Sequence, residues 1–206
     1  MLGVLYIVDN GVGERPIDYA KDLDASLVCI AILASLSCSN GDTWASEIGS
    51  AIGSRTPRLI TTFKKVPVGT NGAITVTGTV ASIAGGAFVG FAYYITQTIC
   101  LAIAYRHGGP QYPPQWPIVI LGCIAGCLGS AFDSFLGATI QYSGYCSERK
   151  RVVYRPSPTV KHVSGRCLLD NHMVNLVSSI FTATLTPVIG YYIWRMLSNA
   201  ESNVYL

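Results

Sequence analysis

The chain has 206 residues, half of them hydrophobic and 12% charged, with a formal net charge of +3 and a mean hydropathy of +0.41. Soluble globular domains carry about 25% charged residues, so a water-soluble enzyme is excluded and an integral membrane protein is predicted. The partner this implies is the lipid bilayer, and no nucleic-acid partner is expected.

In chain order, Met1 opens into "MLGVLYIV" without the basic start or the long apolar core of a secretory signal. It reads as the last part of a helix whose beginning is missing. "DNGVGERPIDYAKDLD" follows as an acidic, solvated loop whose Gly11 and Gly13 mark a turn. The first apolar span, Ala25 to Ser39, is short, so its helix is expected to continue into "NGDTWASEIG". Asp42 and Glu47 then sit immediately beyond a membrane-like run, where a carboxylate is expensive and needs a partner.

The second span, Gly72 to Tyr105, contains no Asp, Glu, Lys or Arg. As one helix it would extend about 50 Å against a hydrocarbon core of about 30 Å, so it must tilt, bend near Gly85 and Gly86, project from the bilayer or cross twice. A third span runs from Trp116 to Tyr142 and carries Asp133 deep in "GSAFDSFLGA"; a fourth runs from Met173 to Trp194. The predicted class is therefore all-α, a polytopic bundle of about four transmembrane helices in one domain, residues 1–206. Residues 1–24 form a non-cytosolic loop, 25–142 the first three spans with a basic loop at 43–71, 143–170 a basic cytosolic loop, and 171–206 the last span and tail.

Charge supports this count. Arg55, Arg58, Lys64 and Lys65 lie between the first two spans, and Arg149, Lys150, Arg151, Arg155, Lys161 and Arg166 between the last two. Single crossings put both basic loops on one face, which the positive-inside rule makes cytosolic, and put the "RHGGPQYPPQW" linker and the acidic stretch on the other. Five of the seven cysteines lie in apolar segments and read as reduced, small apolar residues; Cys123 and Cys127, one turn apart, are expected to pack rather than bind metal. The pairs Gly49/Gly53, Gly86/Gly90 and Gly122/Gly126 predict close helix approach.

An internal echo is also present. Asp42-Thr43 and Asp133-Ser134 each follow a run of small residues and precede a basic loop, and those loops close on "GTNGAI" and "LDNHMV". The two offsets differ, so a true repeat would need an insertion; if real, it would bring Asp42 and Asp133 together between the halves.

An aspartate and a hydroxyl residue beside a lysine-bearing loop are parts suited to a phosphate and its Mg²⁺. Lys64 and Lys65 would supply positive charge, and Gly69, Thr70, Asn71 and Gly72 would present backbone N–H groups at a helix start. The alternative is a basic loop touching anionic lipid heads, with Thr70 or Asn71 as an ordinary helix cap. Asp170, Asn171 and Asn175 form a second polar cluster that would face a headgroup or a metal-bound phosphate, unless Asp170 only caps the last helix. His162 and His172 read as loop hydrogen-bonders. Asp133 carries a functional reading, against pairing with a basic residue that fixes helix packing.

"GDTWASEIG" and "PRLITTFKKVPVGTNGAITVTG" resemble the transmembrane protein 19 family, and "PQWPI", "GSAFDSFLGATIQYSG" and "LLDNHMVNLVSS" extend the resemblance over nearly the whole chain. The family's members continue beyond Met1 with further spans, and it includes a plant kinase of phytyl phosphate. Gly41, Asp42, Ala45, Gly49, Lys65, Gly69, Thr70 and Gly72 are also similar to a loose pattern in dolichol and phytol kinases and phosphatidate cytidylyltransferases. The resemblance implies Mg²⁺ and a nucleoside triphosphate as cofactors, an isoprenoid lipid phosphate as substrate, and the endoplasmic reticulum as the membrane. On this reading Asp42, Asp133 and Lys65 are catalytic, Asp42, Glu47 and Asp133 hold metal, Lys64 neutralises phosphate, and no general base is assigned. The rival is a non-enzymatic transporter or scaffold whose aspartates are structural.

Overall fold

The computed structural model describes residues 15–52, 56–109 and 111–204. Four helices dominate it: α1 (Leu23–Ala51), α2 (Val76–Ala104), α3 (Pro117–Ile140) and α4 (Asn171–Val204). All four are long and apolar enough to cross a membrane, and with the family assignment given below they make this a multi-pass membrane protein. The first helix continues through Asp42 and Glu47, as expected. The second segment is one unbroken helix of 29 residues, about 44 Å long, so the long apolar run is read as a single tilted or projecting crossing.

Helices α1 and α3 each pack on both α2 and α4 and form the centre of the bundle. Glycine permits this closeness. Gly41 of α1, Gly86 of α2 and Gly126 of α3 meet backbone to backbone: a Cβ on Gly126 would lie 2.9 Å from the Gly86 Cα, and one on Gly41 would lie 2.7 Å from the Gly126 Cα. Gly49 meets Gly78 in the same way. Gly53, its sequence partner, lies outside the described residues. The outer face of α2 exposes Val80, Phe88, Phe91, Ile99 and Ile103, which suits hydrocarbon and would be a liability in water.

The two ends of the bundle differ in chemistry. At one end Ile17, Tyr19, Ile30, Leu33, Ile118, Leu121 and Trp194 form the apolar core. There the stretch before α1 is clamped to the α2–α3 linker by paired bonds, Ile17 N–H to Gln115 Oε1 at 2.8 Å and Gln115 Nε2 to the Ile17 carbonyl at 3.0 Å. Tyr19 donates to the carbonyl of Pro187 within α4 at 3.0 Å, and burial pushes its phenol pKa above the ordinary value. The described part of the acidic stretch, from Arg15 on, thus shares one end with the linker, and the two basic loops meet at the other.

Those basic loops are more structured than an all-α reading provides for. β1 (Arg58–Leu59) and β2 (Ala73–Ile74) form an antiparallel ribbon, pairing Arg58 with Ile74 and Leu59 with Ala73. β3 (Ser143–Cys146), β4 (Arg151–Val153) and β5 (Val160–Ser164) form an antiparallel sheet in the order β4-β3-β5. The strand β2 occupies residues assigned from sequence to the second span. That helix starts instead at Val76, where Thr75 caps it by accepting from the Gly78 N–H at 2.9 Å.

Candidate functional site

Each of three helices turns one stripe of small and polar residues toward the loop end. On α1 the stripe is Asp42, Ala45, Ser46 and Gly49; on α2 and its cap it is Thr75, Gly78, Thr79 and Ser82; on α3 it is Ser130, Asp133 and Ser134. The spacing i, i+3, i+4, i+7 places such residues on one helical face. Together with the loop from Pro57 to Ile74 they enclose a cavity of about 690 Å³. Asp42 lies about 29 Å along α1 from its first residue, roughly one hydrocarbon thickness, so the cavity opens near the membrane surface.

The two aspartates are held from different directions. Asp42 Oδ1 accepts from Ser130 Oγ on α3 at 3.1 Å, and the neighbouring Asn40 donates to the Gly85 carbonyl on α2 at 2.8 Å. Asp133 Oδ2 accepts from Ser178 Oγ on α4 at 3.4 Å. With its amide oriented to donate, Asn175 reaches the same oxygen at 3.0 Å and the Asn171 carbonyl at 3.1 Å. The two carboxylates line one cavity as like charges, and among the described residues that line it there is no Lys, Arg or His. Neither aspartate forms an ion pair among the described residues. A proton or a bound cation is what relieves such repulsion.

The residues of the sequence echo converge here, since Asp42, Asp133, Asn71 and Asn171 all line the one cavity. Gly69, Thr70 and Gly72 line it too, but not as the start of a helix. Thr70 is buried, its N–H and hydroxyl both turned to the Pro67 carbonyl at 3.2 and 2.7 Å. Asn71 uses its N–H on Ser143 Oγ at 3.0 Å and its amide on the Tyr142 carbonyl at 3.3 Å, tying the two basic loops together. The Gly69 and Gly72 N–H groups have no hydrogen-bond acceptor among the described residues. Both glycines have positive φ, +88° and +75°, and Gly72 presses so closely on Ser134 and Ala138 of α3 that a side chain there has no room.

Other expected site residues lie elsewhere. Lys64 and Lys65 are exposed in the turn of the ribbon and do not line the cavity. Glu47 is exposed as well; five residues on from Asp42, it is rotated about 140° around the helix and faces away. Among the described residues no three His, Cys, Asp or Glu side chains converge as a metal site, so the three-carboxylate set reduces to Asp42 and Asp133. Asp170 accepts the Met173 N–H at 2.9 Å and is the cap of α4. His162 lies in β5 and not in a loop; it bonds the Gly165 carbonyl at 2.9 Å and rests against Tyr142, away from the cavity lining.

Because Asp170 is a cap, Asp170→Ala should cost about 1 kcal/mol and lower the melting temperature, with Asp170→Ser restoring it. Divalent-ion affinity should stay unchanged in both variants. Thermal unfolding in detergent with a Mn²⁺ titration checks both.

Comparison with known proteins agrees with a membrane assignment. The chain matches the model of a family described as integral membrane protein DUF92 over residues 1–183. It is 44% identical over 198 residues to Protein PGR of Arabidopsis thaliana, covering 94% of this chain and 66% of the relative. It is 34% identical over 152 residues to an uncharacterised membrane protein of Methanocaldococcus jannaschii, covering 73% and 47%. It is 31% identical over 117 residues to Protein VTE6, chloroplastic, of Arabidopsis thaliana, covering 57% and 30%. The chain thus spans less than two thirds of the length of each of these relatives. No solved structure matches it. With a family model covering most of its length and four helices able to cross a bilayer, the chain belongs to the DUF92 family of integral membrane proteins.

Proposed function

We propose that the cavity is the phosphate end of a lipid-directed phosphotransferase, which moves the terminal phosphoryl group of a nucleoside triphosphate onto an isoprenoid lipid phosphate at the cytosolic face. The observation that carries this reading is the meeting of Asp42 and Asp133, from two helices, on one cavity wall with no basic side chain among the described residues. A structural ion pair needs a cation from the protein, and neither aspartate has one among the described residues. Two carboxylates with spare coordination suit Mg²⁺, which takes few protein ligands and completes its shell with water and phosphate oxygens. When bound, the ion would neutralise charge developing on the transferred group.

The chain's own residues would do the positioning. Ser130 and Ser178 fix the carboxylates by donating to them, and the Gly69 and Gly72 N–H groups are available to phosphate oxygens. In the transfer, a bond forms between an acceptor phosphate oxygen and the terminal phosphorus as the bond to the nucleotide's bridging oxygen breaks, releasing the nucleoside diphosphate. The resemblance of "GDTWASEIG" and the "KKVPVGTNG" loop to a family with a phytyl-phosphate kinase supports this class of reaction.

Binding of Mn²⁺, a paramagnetic stand-in for Mg²⁺, tests the site before any turnover is sought. The purified chain should bind Mn²⁺, and Asp42→Asn or Asp133→Asn should each weaken binding about tenfold or more, whereas Glu47→Gln should not. Equal Mn²⁺ binding by all four proteins would remove the metal from this account.

A further inference from the structure

One buried polar side chain in the cavity wall lacks a partner. Gln141, the C-cap residue of α3, is only 5% exposed and yet lines the cavity. Its side-chain amide makes no hydrogen bond among the described residues. A buried amide left unpaired costs free energy that a bound ligand recovers. Gln141 ends the polar stripe of α3, since Ser130, Ser134, Gly137 and Gln141 follow one another at helical spacing and share a face. It also reaches the cavity loop. A Cβ on Gly137 would lie 2.9 Å from the Gly72 nitrogen and 3.0 Å from Gln141 Oε1, so the amide and the free Gly72 N–H flank one point of the wall. A side-chain amide carries two N–H donors beside its oxygen, and rotation of the group sets which of them faces a ligand.

We propose that Gln141 binds the phosphate of the lipid substrate, its Nε2 donating to a phosphate oxygen beside the Gly72 N–H. The inference rests on the phosphotransferase reading and names the residue that holds the acceptor. Two donors at one point fit an anion. Neutral donors also suit an oxygen that must attack, because they hold it without the full charge a lysine or arginine would set against it. Gln141 lies about 12 Å beyond Asp133 along the helix axis, which leaves room between carboxylates and acceptor for the group in transfer. A nucleotide phosphate offers similar oxygens. Phe63 and Val68, however, line the same cavity and are exposed. Apolar side chains thus stand at its opening, where a lipid chain gains from contact and a polyphosphate does not.

The test uses the chain in nanodiscs of phosphatidylcholine, with radiolabelled farnesyl phosphate as the probe in equilibrium binding. Gln141→Leu keeps the bulk and removes the donor, and should weaken binding about tenfold; Gln141→Glu can only accept and adds repulsion, and should weaken it further. Mn²⁺ binding should be unchanged in Gln141→Leu, which also shows that the protein is folded. Without ligand that variant should melt no lower than the wild type, because it removes an unsatisfied amide, whereas a structural glutamine would lower the melting temperature. Should Gln141→Leu lose Mn²⁺ binding as well, Gln141→Glu, of native shape, decides the question by the same loss of farnesyl phosphate. If the wild type binds farnesyl phosphate and both variants bind it equally well, the role of Gln141 is wrong while the phosphotransferase reading stands. If the wild type binds none, the phosphotransferase reading fails and this site with it. If the variants weaken only Mg-ATP binding, or if inorganic phosphate displaces the probe as well as farnesyl phosphate does, the ligand is not a lipid phosphate and the proposal is overturned.

Discussion

Asp42→Asn is expected to lower phosphoryl transfer at least about a hundredfold while leaving the protein inserted and monodisperse. Asparagine has nearly the same shape as aspartate and still accepts from Ser130 Oγ, so the α1–α3 contact survives. What is lost is one of two negative charges on a wall that has no basic side chain among the described residues. Asp133→Asn should behave alike, and the double variant should be little worse than either single, because two groups that act as one unit are not additive. Stability should move the other way. Removing one carboxylate relieves repulsion, so without divalent ions each variant should melt no lower than the wild type, and Mg²⁺ should stabilise the wild type more than either variant. A structural aspartate would reverse that order, with melting temperature lost first and activity following abundance. Thermal unfolding with and without Mg²⁺, beside a turnover assay, separates the two.

Gly86→Val should abolish the folded bundle. A Cβ at Gly86 meets the Gly122 carbonyl and lies 2.9 Å from the Gly126 Cα and 3.0 Å from its nitrogen. Those are backbone atoms on a helix that also packs on α1 and α4, so no rotamer change relieves the clash and the helices must separate. Overpacking of this kind typically costs about 1–3 kcal/mol where side chains can adjust, and backbone cannot. Gly126→Val should fail in the same way, since its Cβ meets the Ser82 carbonyl and the Gly86 backbone. Gel filtration after detergent extraction reads the result as loss of the monodisperse peak. Recovery of a sharp peak at wild-type yield would show that the helices are less tightly joined than their backbone contacts indicate.

Hydropathy alone reveals the four spans, because apolar length is a local property. Asp42 and Asp133 stand out for a related reason: a carboxylate in an apolar helix is costly enough to require an explanation. The echo pairing Asp42 with Asp133 and Asn71 with Asn171 points to the cavity before any coordinates do. Lys64 and Lys65 mislead because composition counts charges but does not say where long side chains point. Glu47 misleads because nearness in sequence differs from nearness on a helix, where five residues carry a side chain to another face.

The sheets over the basic loops are hidden for a different reason. Their strands are two to five residues long, and partners such as Ser143 and Ser164 meet only after the chain has turned. The stripe Thr75, Gly78, Thr79 and Ser82 was legible in principle, since its spacing matches that of Asp42, Ala45, Ser46 and Gly49. It lacks a charge to draw notice. Ser130 and Ser178, which hold the carboxylates, look from sequence like the other small residues of membrane helices.

Phosphate transfer to a lipid at the Asp42–Asp133 cavity is tested by following label. The purified protein is mixed with Mg²⁺, terminally labelled ATP or CTP and a panel of prenyl and polyprenyl phosphates, and radioactivity is counted in the extracted lipid. The account predicts label in a lipid diphosphate, dependent on Mg²⁺ and lost in Asp42→Asn. A folded preparation that binds Mn²⁺ but leaves every lipid unlabelled with either nucleotide would contradict it, and would make the paired aspartates a cation site in a membrane protein that is not a kinase.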